Sequence, residues 1–215
     1  MHHKYFVSAI DTNSGKTVIS SLLCQAFGFD YFKPIQCGWL PKSDKNIVRD
    51  LVTNQKSKIH NEIYIFRQPM SPHHAAILEE REIKISEIKI PDSENGMIIE
   101  GAGGLLVPLN QKHTFADFIL RNNLELILVV NFYLGSINHT NLNLEFLARS
   151  GIQVKGIVFN GKMPDDSYRI IEKKLQWPLL IHQADIIPLS AENIAHNADQ
   201  FREKTADYFN SSVPG

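Results

Sequence analysis

Gly15-Lys16-Thr17 is the triplet with the most chemistry in this chain. Lysine offers a mobile cation, threonine a hard oxygen, and glycine a close backbone approach. The triplet follows Tyr5-Phe6-Val7, which favour a strand, and the polar turn Asp11 to Gly15. It precedes Val18 to Phe27, which reads as a helix. Strand, polar loop, Gly-Lys-Thr and helix are the parts of a phosphate-binding loop. The first amides of a helix have no intrahelical partner and carry the positive end of its dipole. An anion placed there gains several donors at once. Lys16 would then meet the β/γ-phosphates of a nucleotide, and Thr17 would be a ligand for Mg2+. The usual pattern has glycine where Ile10 stands. Chance occurrence at a helix start is the alternative, and the position directly after the first strand argues against it.

Two more residues stand at strand ends. Lys33 follows the apolar Tyr31-Phe32, and Pro34 should end that strand or bring it to an edge. In open parallel sheets the C-terminal edge is where ligands bind. A solvated surface lysine is the alternative for Lys33. Glu100 closes Met97-Ile98-Ile99 and runs into Gly101-Ala102-Gly103-Gly104. An acid ending a buried apolar strand is the layout of a metal-directed carboxylate. An ordinary strand-terminal acid is the alternative. Ser43 or Asp44 would cap the helix that follows; Asp44 is otherwise a third metal-directed oxygen, and Asp50 competes with it for that role.

The elements that must position these residues alternate. Strands are expected at 5–7, 31–35, 63–66, 97–100, 124–131, 154–159 and 179–181. Helices are expected at 18–27, 46–54, 73–82, 115–121, from about 140 to 150, within 164–176 and over 192–209, with a further amphipathic stretch at 83–90. The pattern implies an α/β fold of one domain, a mainly parallel sheet with helices on both faces. Right-handed crossovers put all strand C-terminal ends on one edge. That edge collects Asp11–Thr17, Lys33, Glu100–Gly104, Asn131 and Asn160.

A chain of 215 residues with 43% hydrophobic and 21% charged residues fits one sizeable core. Net charge is −1, so no general polyanion-binding surface is implied, and no nucleic-acid partner is expected. The longest apolar runs, Leu124–Val130 and Met97–Ile99, are far short of a membrane span. Without a secretory stretch, and with only Cys24 and Cys37, the expected location is a reducing cytoplasm.

The chain resembles the dethiobiotin synthetases of biotin biosynthesis, which are P-loop NTPase-like enzymes. Residues 5–17, Lys-Pro-Ile-Gln-Cys-Gly at 33–38, Ser-Asp at 43–44 and Ser-Pro-His at 71–73 carry the resemblance. So do Glu-Gly-Ala-Gly-Gly at 100–104, Phe-Ala-Asp-Phe at 115–118, Leu-Gly-Ser-Ile-Asn-His at 134–139, Phe-Asn-Gly at 159–161 and Ala-Glu-Asn at 191–193. It implies an ATP-dependent ring closure of 7,8-diaminononanoate with CO2, through a carbamate and a carbamic–phosphoric anhydride. By the family pattern Lys16 bridges γ-phosphate and carbamate, Lys33 stabilises the transferring phosphoryl group, and Thr12 lies near the reacting groups. ATP contacts are implied at Asn13, Ser14, Gly15, Lys16, Thr17, Val18, Glu100, Gly103, Asn160, Pro188 and Glu192. Mg2+ is implied at Thr17, Asp44 and Glu100. Cys37, Ser71, Pro72, Gly103 and Gly104 would approach the diamine. A homodimer is implied, with the substrate tail near the interface at Gly135, Ser136 and Asn138 of the second subunit. Cys37 departs from the small hydroxyl residue common at its position, and Ala9-Ile10 departs from Gly-Thr. Amidotransferase-type synthetases share the expected fold but carry a glutaminase domain, for which 215 residues leave no room. ATP switches of the partitioning-ATPase type usually carry a second lysine early in the loop, and Asp11 and Thr12 stand there instead.

Overall fold

A computed structural model describes residues 3–38 and 42–210. Its centre is a six-stranded sheet in the order β2-β5-β1-β6-β7-β8, with every neighbouring pair parallel. The strands are β1 (Lys4–Ala9), β2 (Asp30–Phe32), β5 (Met97–Glu100), β6 (Glu125–Asn131), β7 (Val154–Asn160) and β8 (Leu179–Gln183). A second, two-stranded parallel sheet pairs β3 (Ile35–Cys37) with β4 (Tyr64–Phe66). The helices are α1 (Lys16–Phe27), α2 (Asp44–Leu51), α3 (Pro72–Leu78), α4 (Phe115–Arg121), α5 (Ser136–Ser150), α6 (Asp165–Glu172) and α7 (Ala191–Asn210).

Strand alternation sorts the apolar residues into two cores. Tyr5, Val7, Ala9, Ile98, Ile127, Val129 and Val158 face α1 and α7. Phe6, Met97, Ile99, Leu128, Val130 and Phe159 face the opposite side, where Phe115 and Phe118 of α4 and Leu144 of α5 pack. Both faces of the sheet are therefore covered, which explains why its strands are almost continuously apolar.

The strand expected over 31–35 divides at Lys33-Pro34. β2 ends at Phe32, and the chain re-enters extended structure in the other sheet. Pro34 has no N–H for a ladder, and its carbonyl accepts from Ile63 and Tyr64 instead. The break leaves Lys33 at the edge of the main sheet. The helix expected over 73–82 stops at Leu78, because Glu80 takes φ 51° and Arg81 turns back to stack on Phe66 at 4.8 Å. The stretch 83–90 forms only a short 3-10 turn at Ile85–Glu87. α2 starts two residues earlier than expected and is capped by Ser43, whose hydroxyl accepts from the Asn46 amide. Asp44 is thereby released from capping.

Candidate active site

The loop between β1 and α1 is wound tightly. Asn13 and Gly15 adopt left-handed backbone, at φ 57° and 90°. A Cβ at Gly15 would lie 2.0 Å from the Asn160 amide nitrogen, so the position tolerates only glycine. Asn160, at the end of β7, donates to the Ser14 carbonyl at 3.1 Å. The Ser14 hydroxyl is turned inward and donates to the Asp11 carbonyl. The loop is thus held from behind, and its amides and Lys16 are left for a ligand. Lys16 folds over the loop onto the Asp11 carbonyl at 3.2 Å. Burial, followed by the nearby Lys33 charge, brings its ammonium down to about 8 despite Glu100 and Asp44.

Below the loop, side chains from α1, α2, β5 and the β2–β3 link interlock. The Lys33 ammonium lies 3.0 Å from Glu100 Oε1, 2.9 Å from Asp44 Oδ2 and 3.2 Å from the Gly101 carbonyl. The Thr17 hydroxyl lies 3.0 Å from Glu100 Oε1 and 3.2 Å from Asp44 Oδ1, and its proton can serve either oxygen. Burial alone would lower the Lys33 ammonium, but Glu100 and Asp44 outweigh it and raise it above the ordinary lysine value. Burial would likewise raise the Asp44 carboxyl, and Lys33, Thr17 and Gln36 hold it below the usual range instead. Charge at the site is therefore present on both signs.

These groups open into a cavity of about 660 Å3. Thr12, Asn13, Gly15, Lys16, Thr17 and Val18 form its loop wall. Lys33, Cys37, Asp44 and Glu100 form its floor, with Ser71, Pro72 and Gly103 opposite. Thirteen of the residues expected from sequence thus meet in one place. Burial pushes the Cys37 thiol up to about 11, so it enters the cavity as a neutral group.

The remaining expected residues lie elsewhere. Gly104 lines a neighbouring cleft of about 370 Å3, together with Ile10, Asp11 and Leu106. Gly135, Ser136 and Asn138 begin α5 beyond β6, outside the cavity. Pro188 and Glu192 are exposed around the start of α7. Asp50 is not at the site, because it pairs with Lys42 at the surface. Ile10 is buried and joins the core against the sheet, so its side chain serves packing. Pro41 lies outside the described residues.

Sequence reasoning missed Gln36, Pro69, Met70, Ala102 and Val107, which also line the cavity. Gln36 Oε1 accepts from the Asp44 amide at 3.2 Å, and its Nε2 donates to the Gly38 carbonyl at 2.6 Å. Its place beside Lys33-Pro34 was the available signal. Tyr31 was also missed. Its hydroxyl donates to Glu100 Oε2 at 3.1 Å from full burial.

A parallel sheet of this order, a glycine–lysine–threonine loop at the first helix, and an acid at the end of β5 define a P-loop nucleotide-binding protein. Consistent with that class, a ParA family ATPase from Chlorobium tepidum superposes with a TM-score of 0.58 over 98% of both chains, at 14% identity. A family model described as an AAA domain matches residues 3–192. The ATP-dependent dethiobiotin synthetase of Cytophaga hutchinsonii is 49% identical over 180 residues, covering 83% of this chain and 87% of that one. That of Christiangramia forsetii is 40% identical over 208 residues, 96% of this chain and 100% of the other. The chain belongs to the ATP-dependent dethiobiotin synthetase family.

Proposed function

We propose that this protein closes the ureido ring of dethiobiotin from 7,8-diaminononanoate, CO2 and ATP. The observation that carries this reading is the convergence of Lys16, from the start of α1, and Lys33, from the end of β2, on one cavity. Each reactant at the joining step is an anion. Two unit charges 4 Å apart at a partly shielded site repel by about 4 kcal/mol. Two positioned cations offset that repulsion without reorganising.

One substrate amine adds to CO2, forming an N–C bond and losing a proton to give the carbamate. A carbamate oxygen attacks the γ-phosphorus, and ADP leaves. The second amine attacks the carbamoyl carbon, phosphate leaves, and the ring is closed. Lys16, close to the loop amides, bridges the γ-phosphate and the carbamate. Lys33 steadies the phosphoryl group in transfer. The diamine lies along Ser71, Pro72 and Gly103, which hold it against Lys33 and Cys37. Positioning and charge stabilisation supply most of the rate.

Thr17, Asp44 and Glu100 suit Mg2+, because two carboxylate oxygens from separate elements lie within 3.2 Å of the Thr17 hydroxyl, a set of three hard oxygens. When bound, the ion would neutralise phosphate charge. Asn160 would read the adenine edge, with Pro188 and Glu192 closing over the base. A homodimer would bring Gly135, Ser136 and Asn138 of a second subunit to the substrate's carboxylate tail. The Ser136 hydroxyl is buried with no hydrogen-bond partner among the described residues, which suits an anion at the start of α5. No helix among the described residues is long and apolar enough to cross a membrane.

The test is ADP release with and without the diamine and bicarbonate. Release that depends on both is expected. ATP turnover indifferent to the diamine would reject the reading.

A further inference from the structure

Glu100 divides its two oxygens between two surroundings. Oε1 faces the cavity-lining groups, Thr17 at 3.0 Å and Lys33 at 3.0 Å. Oε2 faces inward, where the Tyr31 hydroxyl donates to it at 3.1 Å. Tyr31 does not line the cavity and is fully buried on β2, directly beside β5 in the sheet. Its ring is fixed by the core of α1, α2 and the sheet. The inner oxygen is therefore tied to a rigid donor, and the carboxylate can offer only its outer oxygen to a cation.

That restriction matters differently for different ions. Mg2+ is small and demands near-ideal octahedral geometry, which a single carboxylate oxygen satisfies. Ca2+ takes more oxygens in looser geometry and readily engages both oxygens of one carboxylate. A group behind a ligand that fixes its orientation is typically worth tenfold or more in metal affinity.

We propose that Tyr31 is a positioning residue that sets metal selectivity, by holding Glu100 in one-oxygen presentation so that the site favours Mg2+ over Ca2+. The inference rests on the reading of Glu100 as a metal-facing carboxylate, and it is independent of the diamine chemistry. A core aromatic needs no hydroxyl, so the hydroxyl is the group to remove. Tyr5 supplies the internal control. It is equally buried in the sheet, yet its hydroxyl has no hydrogen-bond partner among the described residues.

The experiment follows Mn2+ bound to the ADP complex by electron paramagnetic resonance, and displaces it with Mg2+ or Ca2+. Wild type should release Mn2+ to Mg2+ well before Ca2+. Tyr31→Phe should weaken Mg2+ about tenfold while leaving Ca2+ unchanged or tighter. Tyr31→Met, which fills the space without a donor, should behave alike. Tyr5→Phe should match wild type. The proposal is overturned if Mg2+ and Ca2+ weaken together in the Tyr31 variants, which would mean a general loosening, or if neither moves. It is overturned equally if both Tyr31 variants fail to fold, since the hydroxyl would then belong to the core. A wild type that binds no Mn2+ at the site would reject the metal-facing role of Glu100 and the proposal with it. Ring closure is measured separately, by diamine-dependent ADP release, so the two failures are distinguishable.

Discussion

Lys33 Nζ and Glu100 Oε1 lie 3.0 Å apart with both side chains sealed from solvent. Such a pair is fragile when one member is removed, because the other is left as an uncompensated buried charge. Asp44 adds a second carboxylate to the same lysine. Lys33→Met should therefore lose both turnover and stability, with a stability cost of about 3 kcal/mol. Pairing it with Glu100→Gln should recover part of that stability, since the orphaned charge is gone. Urea unfolding of the two single variants and the double variant checks this. Strictly additive losses would show that the two residues are not coupled.

Lys16 is a different case. Its one side-chain hydrogen bond among the described residues is to the Asp11 carbonyl, and burial disfavours its charge. The fold gains little from it. Lys16→Ala should keep the unfolding midpoint close to wild type and lower the rate of diamine-dependent ADP release by about 10^2- to 10^3-fold, the typical effect of losing one stabilising group. A large drop in stability, or near-normal turnover, would remove Lys16 from its proposed role.

What the sequence made legible divides along physical lines. The sheet and its active edge were readable because β1, β5, β6 and β7 are apolar strands buried on both faces, and such runs admit few alternatives. Glu100 was readable because it ends such a strand, Lys33 because it directly follows the apolar β2, and Lys16 because Gly-Lys-Thr opens the helix after β1. Tyr31 and Gln36 were not. Their chemistry depends on which strand lies beside β2 and how α2 turns, and both relations are tertiary. Tyr31 reads as core because it is core, and only the β2–β5 register puts its hydroxyl on Glu100. The choice between Asp44 and Asp50 was open for the same reason. Both lie on one short helix, and only the Ser43 cap and the approach of Thr17 and Lys33 select one. The break at Lys33-Pro34 was half-readable. Proline announced the end of β2, but nothing local announced that β3 would pair with β4 in a separate sheet.

Asp30 gives the pH prediction. It is buried at the start of β2 and accepts from the Lys58 amide at 2.9 Å and the Asn95 side chain at 3.0 Å, with His60 at 3.4 Å. Burial would raise its carboxyl, but these donors and Ser93 outweigh it and hold it below the usual value. A lowered folded-state value means that the ionised form stabilises the fold above the unfolded value of about 3.9, and that this is lost as pH falls through the folded value. Wild type should exceed Asp30→Asn in stability by about 2 kcal/mol at pH 7. The gap should close below about pH 4. Urea midpoints from pH 7 to pH 3 measure it, and a gap independent of pH would assign the effect to packing.

The last prediction separates two neighbouring acids on α2. Asp44 is the first residue of the helix and sends its carboxylate to Thr17 and Lys33 under the loop. Asp50 sits toward the other end and pairs with Lys42 at the surface. Asp44→Asn keeps the size and hydrogen-bonding shape of the side chain and removes its charge. A cation held by Thr17, Asp44 and Glu100 loses one of two anionic ligands, so the Mg2+ needed for half-maximal ADP release should rise about tenfold or more. Exposed ion pairs contribute roughly 0–1 kcal/mol, so Asp50→Asn should leave both the Mg2+ titration and the unfolding midpoint nearly unchanged. A Mg2+ titration of the two variants side by side decides the matter. Equal titrations would remove Asp44 from the metal site, and a shift in Asp50→Asn alone would exchange their roles.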